Sequence, residues 1–307
     1  MKGQIMHRLV RSFAVLVFVA FGAGTASAQD ATPSSSESLL AGQGFPELTV
    51  TANDDGLVDA PTSIDAGRYL ITFENTGGNP AALDFVGVAD GTTYDAVAEL
   101  YATANSGDSI PDEVYDTPIA GGVRVAAGES DQVIVDLTPG AWVIGNSTES
   151  DDSGNTMGPK TYELTVTGTF PTVDVPTTDV EVGMFEMGFD MPDQIGAGPA
   201  VWSVTNTGDQ PHFIELARYP TPFTERQILS TFEFVESDDP GATPAADALD
   251  PQDLELVFGS EILSPGMTNW LEIDLEPGYY VALCFIPDQA TGIPHTLMGM
   301  IKVFEVT

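Results

Sequence analysis

Of 307 residues, 46 are acidic and 9 basic, giving a formal charge of -37. A chain this negative repels phosphate backbones, which excludes nucleic acid as a partner and argues against anionic membrane surfaces. With 42% hydrophobic residues it has apolar material for about two ordinary domains. Its single cysteine excludes an intramolecular disulfide framework, a four-cysteine zinc site and an iron–sulfur cluster.

Residues 1–28 have the pattern of a secretory signal. Lys2, His7, Arg8 and Arg11 make a basic start, Phe13 to Phe21 is unbroken apolar sequence, and Ala26-Ser27-Ala28 supplies small residues for cleavage. The apolar run is short of the roughly 20 residues that span a bilayer. The expectation is an exported protein, periplasmic or extracellular, with no stable membrane anchor. The remaining acids are spread along the chain, which suits a salty medium. A docking face for a basic redox partner protein is the sharper alternative, and the oligomeric state is open.

Residues 29–43 are expected to be a flexible leader, Ser-rich from Asp30 to Glu37. The rest repeats itself, 44–168 against 179–307, with 169–178 as a linker carrying Pro171 and Pro176. Phe73-Glu74-Asn75-Thr76-Gly77 aligns with Val204-Thr205-Asn206-Thr207-Gly208. Further on, Leu137-Thr138-Pro139-Gly140-Ala141-Trp142 aligns with Leu275-Glu276-Pro277-Gly278-Tyr279-Tyr280.

Short β-branched and aromatic runs bounded by Gly, Pro, Asn or Asp predict strands at Tyr69 to Phe73, Gln132 to Leu137, Ala200 to Val204, Phe213 to Leu216, Trp270 to Leu275 and Tyr279 to Cys284. Phe185, Met187, Phe189 and Met191 alternate as one half-buried strand would. Helical spacing appears once per copy, at Tyr94, Val97, Ala98 and Tyr101 and at Ile228, Leu229 and Phe232. The acidic stretch Ser237 to Asp253 is expected to be a loop. The predicted fold is all-β, two tandem Greek-key β-sandwiches, each with a short helix or loop insertion.

The chemistry-bearing residues fall in the second copy. Outside the signal segment the histidines are His212 and His295, and the thiol is Cys284. Two imidazoles, one thiolate and a weak axial thioether suit copper in both oxidation states. Met300 can supply the thioether, with Met298 as the alternate. Taken singly, each has a plainer reading: Cys284 as a small buried hydrophobe, each histidine as a hydrogen-bonded structural residue, Met300 as core.

The second copy resembles the cupredoxins, the plastocyanin-like blue (type 1) copper family. The run His295-Thr296-Leu297-Met298-Gly299-Met300 looks like the family's ligand histidine, glycine and axial methionine. Pro211-His212 looks like the upstream ligand histidine, and Gly278 to Cys284 like the strand ending at the ligand cysteine. The resemblance implies a single type 1-like copper site of His212, Cys284, His295 and Met300, zinc being a lesser alternative. It also implies electron exit through His295 if its ring edge lies near the surface. Ten residues separate Cys284 from His295, a longer loop than the family's. In the first copy Ala81 stands in the place of His212 and Asn146 in that of Cys284, so that copy is ligandless.

Oxidase and nitrite-reductase chemistry needs further copper-binding histidines, and a dinuclear copper centre needs a second cysteine. The sequence therefore reads as an electron-transfer or copper-binding protein rather than an enzyme. The alternative is a metal-free β-sandwich binding or surface module that keeps the fold alone.

Overall fold

The computed structural model describes residues 38–105, 110–149, 156–237, 239, 241 and 243–307. The expected signal segment and the leader up to residue 37 lie outside the described residues. The first half contributes β1 (Glu47–Asn53), β2 (Gly56–Asp59), β3 (Ser63–Asp65), β4 (Gly67–Asn75), β5 (Ala81–Gly87), α1 (Tyr94–Ala104), β6 (Ile119–Val125), β7 (Ser130–Leu137), β8 (Gly140–Glu149) and β9 (Thr156–Thr167). The second contributes β10 (Val180–Phe185), β11 (Gly188–Asp190), β12 (Gln194–Ile195), β13 (Gly198–Asn206), β14 (Glu215–Tyr219), α2 (Glu225–Val235), β15 (Glu255–Gly259), β16 (Thr268–Leu275), β17 (Gly278–Leu283) and β18 (Ile301–Val306).

The sheets reproduce the sequence repeat strand for strand. One five-stranded sheet has the order β3-β9-β8-β5-β6 and its counterpart the order β12-β18-β17-β14-β15. The other sheet of each half is β2-β1-β4-β7 and β11-β10-β13-β16. These two join edge to edge through antiparallel β7 and β16 into one eight-stranded sheet. Pairing those edges satisfies two rows of backbone groups that would otherwise be exposed.

Alternation explains which side chains fill the core. In β7, Val133, Val135 and Leu137 join Ile71 and Phe73 between the sheets. Ile134 points the other way, and joins Leu70, Val201, Trp270 and Leu40 in a cluster on the outer face of the joined sheet. Covered on both faces at its middle, β7 carries three consecutive buried apolar residues there, Val133, Ile134 and Val135. Leu40 lies just before a 3-10 turn at Ala41–Gln43 and is fully buried, so the expected leader is packed over its last residues, 38–43.

The repeat extends to individual hydrogen bonds. Asn75 Nδ2 donates to Asn79 O, and Gly77 N–H to Asn75 Oδ1. Asn206 Nδ2 donates to Gln210 O, and Gly208 N–H to Asn206 Oδ1. Both helices form where periodicity places them, with Val97 and Tyr101 buried in one and Ile228 and Phe232 in the other. Thr224 closes a capping box with Gln227 at the start of α2. Among the described residues, no helix is long and apolar enough to cross a membrane.

Two expectations are corrected. Phe185, Met187, Phe189 and Met191 do not share one strand: β10 and β11 form a hairpin that pairs Phe185 with Gly188, leaving Phe185 exposed and Phe189 and Met191 in the core. The strand expected from Phe213 begins at Glu215; before it, His212 makes an isolated bridge to Leu263.

Candidate metal centre

The site lies at one end of the three adjacent strands β14, β17 and β18. Cys284 immediately follows β17. β14 pairs with β17 at Glu215 and Leu283, which sets His212, three residues upstream, beside the cysteine. His295 opens a 3-10 turn, His295–Met298, that leads into β18. Gly299 ends this turn at φ +104°, a conformation that favours glycine, and the chain reverses so that Met300 N–H donates to His295 O.

The ten-residue loop from Cys284 to His295 is a tied structure. Pro287 and Pro294 bridge its two arms, and His295 N–H donates to Ile286 O at 2.9 Å. Thr296 anchors its end by giving both its N–H and its Oγ1–H to Cys284 O. At the tip, Asp288 accepts from Thr291 N–H and Oγ1–H, while Gly292 turns the chain at φ +69°. Gln210, two residues before His212, reaches across: its Nε2 donates to Asp288 Oδ2, and its Oε1 accepts from Gln289 N–H. Length adds little closure entropy, roughly 0.6 kcal/mol per doubling, and these bonds provide the rigidity.

His212, Cys284 and His295 are fully buried and converge. Cys284 Sγ lies 3.8 Å from His212 Nδ1 and 3.7 Å from His295 Nδ1, and the two Nδ1 atoms are 3.1 Å apart. The point equidistant from the corners of a triangle with these sides is about 2.1 Å from each. That matches the range of roughly 2.0–2.3 Å at which imidazole nitrogen and thiolate bind a first-row metal ion. The three residues therefore fit a trigonal ion without rearrangement.

Surrounding groups prepare the donors. His212 Nε2 faces Glu186 Oε1 at 3.3 Å, an arrangement that places the ring proton on Nε2 and turns the bare Nδ1 inward. Burial would raise the Glu186 carboxyl, but N–H groups of Gln210 and Asp209 and the His212 ring outweigh it and hold the carboxyl below its usual range. Burial lowers His212, with Glu186 partly offsetting it. His295 falls to about 4, from burial and then from the neighbouring His212. The Cys284 thiol is pushed up to about 12 by burial, although Phe213 and Ile286 N–H groups point at its sulfur. A bound cation reverses this logic by drawing the thiolate form.

The two methionines face different surroundings. Met300 is fully buried in the core that includes Cys284 and Ile286. Met298 is 38% exposed, and its thioether accepts from Thr291 Oγ1 at 3.8 Å. One expectation is corrected: the His295 ring does not reach the surface. It is fully buried, and its Nε2 makes no hydrogen bond among the described residues. In the ligandless half, Ala81 and Asn146 are buried too, and Asn146 Nδ2 donates to Ala82 O.

The sequence reading missed Glu186 and Gln210. Glu186 is one acid among 46, and it meets His212 only because the β10–β11 hairpin turns it toward residues 209 and 210.

No family model matches the chain, and no curated protein matches it. Solved structures similar to it include a dithionite-reduced auracyanin from the photosynthetic bacterium Roseiflexus castenholzii, at 22% identity and a TM-score of 0.27, covering 43% of this chain and 98% of that one. Another is auracyanin A, a blue copper protein from Chloroflexus aurantiacus, at 16% identity and a TM-score of 0.25, covering 41% and 96%. A copper nitrite reductase from Nitrosomonas europaea is similar at 12% identity and a TM-score of 0.23, over 85% of this chain and 93% of that one.

Proposed function

We propose that this chain is an exported copper-binding protein that transfers electrons, with one type 1-like site in its second sandwich. The observation that carries the reading is the buried triangle of two imidazole nitrogens and one sulfur around a point about 2.1 Å from each. Copper at such a site would supply reversible one-electron exchange.

The chain's own residues do the rest. His212, Cys284 and His295 would hold the ion, and Met300, which follows the His295–Met298 turn, would supply a weaker thioether donor. Glu186 fixes the His212 ring and its proton. Cys284 gives up its thiol proton to bind. Full burial of all three donors excludes bulk water, which keeps the surroundings nearly unchanged when charge moves on and off. Zinc is the competing ion for the same donors.

The role is transfer rather than substrate turnover. Beyond residue 28, the only histidines are the two in this site, which leaves no histidine for a second, catalytic copper centre. The basic, apolar, small-residue pattern of residues 1–28 supports export.

The test is titration of the metal-free protein with copper and, separately, with zinc. The expected result is one copper ion per chain with an intense visible thiolate-to-copper band that is absent in Cys284→Ser. A wild-type protein that stays colourless and binds no copper overturns the reading. Zinc binding with no copper band reassigns the site to zinc.

A further inference from the structure

The ligandless first half touches both segments that carry the metal donors. Tyr115 lies in a 3-10 turn of that half, Asp112–Asp116, and its hydroxyl donates to Pro287 O in the Cys284–His295 loop. Its ring packs against the core that contains Cys284 and Ile286. Pro287 is the residue whose bridge to Pro294 closes the neck of the loop.

The His212 segment is held through an intermediary. Leu263, fully buried, exchanges backbone bonds with His212: His212 N–H to Leu263 O at 3.0 Å and Leu263 N–H to His212 O at 2.8 Å. The same residue bridges to Ala120 of the first half. Ser264 completes the link, accepting Ile119 N–H at its Oγ and donating from Oγ–H to Thr117 O, while its own N–H donates to Ile119 O. The approach is close enough to require glycine. Gly121 has φ +76°, and a Cβ there would fall 2.8 Å from Leu263 Cδ2 and 2.0 Å from Asn269 Oδ1.

From these contacts we infer that the first half is a positioning frame for the metal centre, in which residues 115–122 hold both donor-bearing segments in register and Tyr115 is the positioning residue for the long loop. This rests on the copper reading for its consequence but not for its geometry. The frame offers an answer to what a copy without ligands does. A ten-residue loop cannot rely on shortness to fix His295 relative to Cys284, and a tether from outside the sandwich replaces that constraint.

The test uses the full chain and two readouts. In metal-free protein, hydrogen exchange is followed in peptides spanning 285–298 and 210–216. Tyr115→Phe is expected to speed exchange in 285–298 by about 5-fold, the effect of one lost hydrogen bond, and to leave β13 unchanged. Ser264→Ala is expected to do the same in 210–216. In copper-loaded protein, Tyr115→Phe is expected to shift the thiolate-to-copper band and the reduction potential, which a merely stabilising contact would leave in place.

Unchanged exchange together with an unchanged band overturns the frame. Faster exchange in a chain that binds no copper sustains the frame and defeats the copper reading instead. Should Tyr115→Phe fail to fold, Ser264→Ala decides, and unchanged exchange at 210–216 overturns the inference.

Discussion

The Nδ1 atoms of His212 and His295 stand 3.1 Å apart inside the second sandwich, while the far nitrogen of His212 faces Glu186. With the His212 proton held on Nε2, its Nδ1 can only accept, so in metal-free protein His295 Nδ1–H is the donor of that pair. Metal binding then requires His295 to move its proton to Nε2 and Cys284 to lose its own.

A proton inventory follows. Burial holds the thiol at about 12 and both imidazoles below their usual range, so near neutral pH the thiol is protonated and the rings are neutral. One ion should displace about one proton, from Cys284, and affinity should rise about tenfold per pH unit across neutrality. Calorimetry in buffers of different ionisation enthalpy measures the count. Zero or two protons per ion would contradict the assigned protonation states.

Glu186→Gln keeps an acceptor for the N–H groups of Asp209 and Gln210 but removes the charge beside His212. Metal affinity should fall by about 10–100-fold, the usual effect of removing a carboxylate that orients a ligating histidine. Competition with a chelator of known affinity checks this, and equal affinity would show that Glu186 serves only the turn.

In metal-free protein, His295 contributes a pH-dependent term whose sign is fixed by burial. Its folded pKa is about 4 against an ordinary value near 6.5, so the unfolded chain takes up the proton first. The contribution is intact above about 6.5 and is lost as pH falls toward 4, on the order of 3 kcal/mol in total. Urea unfolding at several pH values, compared with His295→Gln, isolates it. Asp131, raised to about 6 by burial, titrates in both proteins. Parallel pH profiles for the two would refute the prediction.

How far the sequence revealed this site depended on what the repeat could carry. Asn75 and Asn206 anchor the same turn, so counting six residues onward identified Ala81 and His212 as equivalents, and the rarity of histidine and cysteine did the rest. Rarity gave no help with Glu186, Gln210 or Tyr115. Their roles depend on where a hairpin and a second sandwich fold back, and that information lies in pairings 24 to 172 residues apart. The alternation from Phe185 to Met191 misled for a related reason: burial changes phase across the hairpin, from Val182 and Met184 to Phe189 and Met191, while the apolar residue types keep one period, so the pattern alone does not show where the chain reverses.

The two methionines should separate in a potential measurement. Met300 is fully buried beneath the His295 turn, whereas Met298 is part-exposed and engaged by Thr291. Met300→Leu is expected to raise the reduction potential of the copper-loaded protein if Met300 supplies the proposed thioether. Met298→Leu should leave it within error. A shift in Met298→Leu alone would make Met298 the axial donor.

The junction of the two halves contains a second group of buried titratable residues, away from His212, Cys284 and His295. Asp84 on β5 accepts from Tyr101 Oη–H at 2.8 Å, and Glu261 of the second half, paired with Arg124, lies against it. Burial first, and then the Glu261 charge, raise Asp84 well above the usual carboxylate range. Its folded pKa thus exceeds its unfolded one, so the stability it contributes is complete in acid and is lost as pH rises through the folded value. Asp84→Asn supplies a permanent neutral amide that still accepts from Tyr101 and donates toward Glu261. At about pH 8 it should stabilise the chain by on the order of 1–2 kcal/mol, and near pH 4 the two proteins should converge. Thermal unfolding at both pH values measures the difference; a variant less stable at the higher pH would show that Asp84 is needed there as a charge.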